Sequence, residues 1–110
     1  MIFPSAESAV VDLSKLRDYC LDPSHPRGKH KARVFQSSLG LRRGNAGQLR
    51  SLILAGIISQ TVEAGVSDEY GSRFTCDFEI TFNGRSALIR TAWILLHNER
   101  DPRLTTCYLF

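Results

Sequence analysis

The sequence has little cysteine and histidine, and several common catalytic motifs are missing. Its three cysteines, Cys20, Cys76 and Cys107, are odd in number and widely spaced, with no CxxC pair. This spacing predicts neither a disulfide framework nor a zinc site, and we expect all three to be small buried hydrophobes. Walker, GxGxxG, nucleophile-elbow and HExxH motifs do not occur either. The sequence therefore suggests no cofactor and no metal.

Long apolar runs are also missing. No stretch approaches the roughly 18 apolar residues that span a bilayer, and no basic segment followed by an apolar run opens the chain. We therefore expect a soluble, cytoplasmic protein without a membrane partner.

The 110 residues, 43% hydrophobic and 23% charged, suit one globular domain, and no repeat or linker divides them. The expectation is a single, complete α+β domain over residues 1–110.

Positive charge is concentrated in one stretch. The formal net charge is only +3, but the segment between residues 27 and 50 is strongly basic. Its members are Arg27, Lys29, His30, Lys31, Arg33, Arg42, Arg43 and Arg50. Such density is typical of a nucleic-acid-binding surface, and a solvated helix face is the alternative interpretation.

Three segments of the N-terminal half have helical periodicity, which predicts about three helices. The first follows a cap at Asp12 or Ser14 and ends before Pro23, the second is closed by Gly40, and the third spans about 45–60. Their apolar positions are Leu13, Leu16 and Cys20; Ala32, Phe35 and Leu39; and Leu49, Leu52, Ile53, Gly56 and Ile57.

The C-terminal half changes to a period of two. Apolar and polar residues alternate from 72 to 82, and Asn83-Gly84 favours a two-residue type I′ turn into another β-rich segment. A last strand is predicted from 103 towards 110, and a weaker edge strand near 62–66. We expect an antiparallel sheet of three to four strands, with the helices packed on one face.

The two-residue turn determines which residues share a face, because paired residue numbers then keep the same sum. Thr91 and Trp93 are predicted to face the core, while Arg90 lies opposite Asp77 on the open face. Arg90 either forms a surface ion pair with Asp77, worth about 0–1 kcal/mol, or binds two phosphate oxygens at once through its guanidinium group. A slip of one residue would instead expose Trp93 as a base-stacking platform.

A basic surface with few histidines is compatible with RNA cleavage without a metal. The 2′-hydroxyl of RNA is the nucleophile, so the protein needs a base, cations for the phosphate and a proton donor. His30 is the best-placed acid or base, lying between Lys29 and Lys31. A surface histidine without a chemical role is the alternative.

Several motifs are spread over nearly the whole chain. They are Asp18-Tyr19-Cys20-Leu21-Asp22-Pro23, His25-Pro26-Arg27-Gly28-Lys29-His30-Lys31-Ala32, Phe35, Leu39-Gly40, Glu69-Tyr70-Gly71, Arg90-Thr91-Ala92-Trp93-Ile94 and Pro102-Arg103-Leu104. Together they resemble a bacterial domain family of unknown function, found as small single proteins and as C-terminal modules of polymorphic and phage-encoded toxins. That family more remotely resembles the barnase, EndoU, colicin and RelE-like group of metal-independent ribonucleases.

The resemblance implies an endoribonuclease toxin of a toxin–antitoxin or polymorphic toxin system, with RNA as substrate and a small antitoxin or immunity protein as partner. The residues that it marks as catalytic are Lys31, Arg90, Thr91, Trp93, Arg103 and, with less support, His30. Since Thr91 and Trp93 are predicted to face the core and Arg90 is not, a shared site requires a sheet edge or a bulge.

Two other functions fit the same sequence. The chain could be a non-catalytic binding module, either an antitoxin or immunity-type partner or an RNA-binding accessory. It could also form a homodimer through Tyr108, Leu109 and Phe110, if this last strand extends a sheet into a second copy.

Overall fold

The helical elements occupy the first half of the chain in the computed structural model, which describes Phe3 and residues 5–110. Their bounds are a 3₁₀ turn at Ala6–Ser8, α1 at Leu13–Lys15 continued by a π-helical turn at Leu16–Cys20, α2 at Lys29–Leu39, and α3 at Ala46–Ile57 after a 3₁₀ turn at Arg43–Asn45. Three helices were predicted, and their positions are confirmed to within a few residues at each end.

The helix ends follow the predicted chemistry. The Asp12 carboxylate accepts a hydrogen bond of 3.0 Å from the Ser14 backbone N–H, and Gly40 closes α2 with φ of 73°. The π-helical turn after α1 was not predicted. There the Leu21 N–H donates to the Leu16 carbonyl at 2.8 Å, five residues back. This wider turn leaves Leu16, Cys20 and Leu21 all buried.

The second half forms a four-stranded antiparallel sheet of order β1-β2-β3-β4, which confirms the predicted α+β architecture. The strands are β1 at Glu63–Ser67, β2 at Gly71–Phe82, β3 at Arg85–Leu96 and β4 at Arg103–Leu109. Asn83 and Gly84 have φ of 52° and 75°, as a type I′ turn requires. Arg90 therefore pairs with Asp77, and the predicted hairpin register is confirmed.

The pairing of β3 with β4 is irregular next to Thr105. Trp93 lies opposite Leu104, but the preceding residue of β3 lies opposite Thr106, so Thr105 is an extra residue in β4. Because of this bulge, Leu104 and Cys107 are both buried although they are an odd number of residues apart. Tyr108 then falls on the open face of the sheet.

One face of the sheet is covered by helices. Helix α3 packs on β2, and α2 packs on β3 and β4. Trp93 and Phe35 are the largest fully buried side chains. All three cysteines are buried, as predicted, and none forms a disulfide. None of the helices in the described part of the chain is long and apolar enough to cross a membrane.

Candidate functional site at the edge of β4

Lys31 reaches from the basic segment across to the sheet edge. Its Nζ donates a hydrogen bond of 3.2 Å to Thr106 Oγ1 of β4. The same ammonium lies 5.3 Å from the centre of the Tyr19 ring and 5.4 Å from that of Tyr108. Among the described residues, no carboxylate lies within 4.0 Å of it. Lys31 is thus a positioned cation without a carboxylate partner there.

The loop between α1 and α2 positions Tyr19. Its ring lies 4.8 Å from the His25 ring, and His25 Nδ1 accepts hydrogen bonds of 3.0 Å from the backbone N–H groups of Arg27 and Gly28. A Cβ at Gly28 would come within 2.2 Å of the Tyr19 carbonyl oxygen, so the close approach requires glycine. His25 therefore has a structural contact, and Tyr19 is held beside the start of α2.

Arg90 occupies the open face on the other side of Tyr108. Its Nε and Nη2 donate to the two Asp77 carboxylate oxygens at 2.9 and 2.8 Å. The pair is partly solvated, since the side chains are 36% and 33% exposed. The Asp77 carboxylate first, and then the neighbouring Tyr108 side chain, raise the pKa of Arg90 above its usual value. Asp77 uses two of the five guanidinium N–H donors and leaves three.

Tyr108 therefore connects two cations, Lys31 at the strand edge and Arg90 on the open face. An open pocket of about 220 Å³ lies beside it, lined by His30, Lys31, Val34, Tyr108 and Leu109. A cation, an imidazole and a phenol thus border one solvent-accessible space. These are groups that can hold an anion and exchange protons with it.

Two buried thiols lie behind Lys31. The Cys107 thiol and backbone N–H, the Thr106 hydroxyl and the Lys31 ammonium lower the pKa of Cys20 to about 7, against the effect of burial. The Cys20 thiol and burial raise the pKa of Cys107 well above its usual value. A negative charge on this pair therefore resides on Cys20.

Thr91 and Trp93 are not part of this surface. Both are buried, and Trp93 Nε1 donates to Thr91 Oγ1 at 2.8 Å. Thr91 Oγ1 in turn donates to the Cys76 carbonyl at 2.7 Å. The bulge that we considered as a way to unite them with Arg90 is present in β4, but it leaves both side chains in the core. Because both side chains are buried and bonded to each other, they fit a structural role and are not accessible to a bound molecule.

Arg103 lies at the other end of β4. It pairs with Ile94, four residues along β3 from Arg90, so about 13 Å separates the two positions. Its Nε donates to the Glu99 carboxylate at 3.0 Å. The structure therefore brings Lys31 and His30 to one pocket, with Arg90 next to Tyr108 on the open face, and leaves Arg103 apart.

The remaining basic residues are mostly solvated. Arg33 and Arg50 are exposed, and Arg43 forms an ion pair of 2.8 Å with Asp18, which also contacts Arg17. Arg17 first, and then Arg43, lower the pKa of Asp18 to about 2. This part of the basic segment matches the alternative interpretation, a solvated surface.

Sequence reasoning did not identify Tyr19 and Tyr108 as site residues. Tyr19 lies in a quoted motif, but nothing in the spacing indicated that its ring would contact Lys31. Tyr108 was considered only as part of an exposed strand end, whereas the adjacent Leu109 is buried. The one signal that could have identified Tyr108 is the odd spacing of Leu104 and Cys107, which indicates a bulge.

Comparison with known proteins identifies a domain family. A family model described as "Domain of unknown function (DUF6883)" matches residues 2–110. No curated protein and no solved structure matches the chain. In the described part of the chain, no group of three or more His, Cys, Asp or Glu side chains is arranged to hold a metal ion.

Proposed function

The chain belongs to this domain family of unknown function, and from its site we propose that it is a metal-independent endoribonuclease that binds the scissile phosphate at the edge of β4. In this proposal it acts as the toxin of a toxin–antitoxin or polymorphic toxin system, neutralised by a small antitoxin or immunity protein. The motif resemblance described above supports the toxin role, and the geometry around Lys31 supports the chemistry.

The observation that carries the proposal is the position of the Lys31 ammonium. Two tyrosine rings and the Thr106 hydroxyl hold it at the mouth of an open pocket, where no described carboxylate neutralises it. A cation fixed before the ligand arrives stabilises a phosphate without reorganisation. The unused N–H groups of Arg90 supply a second contact beyond Tyr108.

The reaction needs one proton acceptor and one proton donor. A base takes the proton of the 2′-hydroxyl, the 2′-oxygen forms a bond to phosphorus, and the bond to the 5′-oxygen breaks as that oxygen receives a proton. His30 and Tyr108 line the pocket and are the groups that we assign to these two steps. Lys31 and Arg90 stabilise the charge that develops on the phosphoryl oxygens.

The test is cleavage of RNA by purified protein in the presence of a chelator such as EDTA. We expect Lys31→Ala and His30→Ala to lower the rate by about 100-fold or more. Arg33→Ala is the matched control, because it removes the same charge from an exposed position of α2, about 200° around the helix from Lys31. Equal losses in Lys31→Ala and Arg33→Ala would contradict a site at Lys31. Thermal unfolding of each variant shows that it is folded.

Induction in a bacterial host tests the toxin role. We expect the wild-type chain to arrest growth and produce discrete RNA fragments, and Lys31→Ala to be tolerated. Harmless induction of a folded wild-type protein, with intact RNA, would contradict this role.

The contact between Arg90 and Asp77 favours a second candidate, a non-catalytic RNA-binding accessory or an antitoxin or immunity-type module. Two guanidinium donors are already satisfied and the charge is balanced, which suits recognition better than stabilisation of a transition state. RNA binding that depends on Lys31, without cleavage, would identify an RNA-binding accessory.

A further inference from the structure

Phe110 is an exposed aromatic side chain that is fixed beside the candidate phosphate site. Phe110 is 61% exposed. The Arg90 Cζ lies 4.8 Å from the ring centre, and the Tyr108 ring meets it edge-on at 6.1 Å and 64°. The Phe110 backbone N–H donates to the Leu88 carbonyl at 3.2 Å, which continues the sheet pairing. An aromatic ring is thus held in solvent by contacts on one side.

We propose that Phe110 is a stacking platform for an unpaired base, and that the substrate class of this site is single-stranded RNA. The inference rests on the proposed function in one respect, since it takes the bound phosphate to be that of RNA. Beyond the phosphate chemistry, the inference specifies a subsite for a base and a preference for single-stranded over double-stranded RNA.

The arrangement of charge around Phe110 supports this assignment. The Arg90 guanidinium lies over the ring, so the exposed area of Phe110 belongs to the opposite face and the edges. Leu88 is 48% exposed and pairs with Phe110, which extends the apolar surface by one residue. A flat apolar surface of this size fits one base, and every base has a π-face that stacks on an aromatic ring.

Strandedness follows from the geometry of nucleic acids. In a duplex the faces of the bases are stacked on one another and unavailable, so a protein ring can stack only on bases of single strands, loops or bulges. A base on Phe110 places its own backbone next to Arg90 and Tyr108, towards Lys31. The base subsite and the phosphate site are therefore contiguous.

An apolar protein partner fits this surface less well. Leu88 and Phe110 form a small exposed apolar area, and the partly solvated ion pair of Arg90 and Asp77 lies next to it on the open face. Covering that pair with an apolar surface would remove its solvation, which is unfavourable. A nucleotide phosphate can instead bind the remaining Arg90 donors.

The experiment measures binding of a short, fluorescently labelled, 2′-deoxy-substituted RNA strand by the full chain, since the missing 2′-hydroxyl prevents cleavage. The same strand is also presented in a duplex. We expect Phe110→Ala to weaken single-strand binding about 5- to 150-fold, which corresponds to about 1–3 kcal/mol. We expect Phe110→Trp to retain binding and Phe110→Leu, which is apolar but not planar, to lose it. Tyr70→Ala is the control, because it removes another ring that is 63% exposed, in the segment between β1 and β2.

Equal affinity for strand and duplex, or unchanged binding in Phe110→Ala, would overturn the inference. The inference would also be overturned if Phe110→Ala lost only self-association, measured by sedimentation, because that result identifies a protein interface. Cleavage of ordinary RNA is assayed separately. Single-strand binding that depends on Phe110, in a protein that cleaves nothing, supports the subsite and contradicts the proposed enzyme. Cleavage of RNA that does not depend on Phe110 supports the proposed enzyme and contradicts the stacking subsite.

Discussion

The indole Nε1 of Trp93 donates a hydrogen bond of 2.8 Å to the Oγ1 of Thr91 inside the core. Thr91 is 0% exposed, and its hydroxyl donates a hydrogen bond to the Cys76 carbonyl. The three groups satisfy one another away from water, since a buried donor without a partner is costly. The family resemblance grouped Thr91 and Trp93 with Arg90 as catalytic residues, whereas the hairpin register placed them in the core, where the structure has them.

Replacing Thr91 tests that task. Thr91→Val leaves the Trp93 N–H and the Cys76 carbonyl without this partner, so we expect the free energy of unfolding to fall by about 1–3 kcal/mol in urea denaturation. Thr81→Val is the control, because its hydroxyl is exposed and bonds to Ser86, and we expect a change within about 0.5 kcal/mol. RNA cleavage per folded molecule should stay unchanged in Thr91→Val. Lost cleavage with unaltered stability would instead indicate a direct role for Thr91.

The contact of α3 with β2 depends on Gly56. A Cβ there would lie 2.2 Å from Cε2 of Phe78, which is buried and has little room to move. We expect Gly56→Ala to destabilise the protein by about 1–3 kcal/mol through overpacking, measured by chemical denaturation. Gly47→Ala in the same helix meets nothing within 4 Å and should stabilise by about 0.5–1 kcal/mol. If both substitutions had the same sign, close packing at Gly56 would be the wrong explanation.

The β2–β3 hairpin was predictable because its determinants are local. Asn83 and Gly84 accept positive φ, and the alternation of apolar and polar residues in β2 leaves one register that buries the apolar set. The opposition of Arg90 and Asp77 followed directly from that register. No later contact in the fold needed to be known.

The site at β4 was not predictable in the same way, because it depends on contacts between distant elements. The neighbours of Lys31 come from the π-helical turn and from β4, and Tyr108 reaches its position only through the bulge at Thr105. Periodicity describes single helices and strands, so it does not indicate which side chains meet between α2 and a strand edge.

The Cys20 thiol predicts a pH dependence of stability. Its pKa in the folded protein is about 7, below the value of about 8.5 in an unfolded chain. The folded state therefore releases this proton first, and the stabilisation is complete above about pH 8.5 and lost as the pH falls through about 7. We expect the free energy of unfolding to rise between these pH values in the wild type and to rise less in Cys20→Ser.

Cys76 provides the comparison, since burial first, and then the charge of Asp77, raise its pKa to about 11. Cys76→Ser should leave the slope between pH 7 and 8.5 as it is in the wild type. Thiolate absorbance in the ultraviolet gives an independent readout. A native protein without a thiol that titrates near pH 7 would contradict the assignment to Cys20.

The ion pair of Asp77 with Arg90 determines how much positive charge the open face presents. Asp77→Asn keeps the side-chain shape and removes the negative charge, so Arg90 becomes free to bind phosphate. We expect affinity for single-stranded RNA at low salt to increase by up to about fivefold, equivalent to about 1 kcal/mol, with a loss of stability no larger than that. Arg90→Gln should lower the affinity and reduce its salt dependence, because one phosphate contact is lost. Glu79→Gln is the matched control, because it removes the same charge from an exposed position of β2 that has no ion pair within the described chain. If Asp77→Asn and Glu79→Gln had equal effects, the gain would come from net charge alone, and Arg90 would be a structural ion pair without a role in RNA binding.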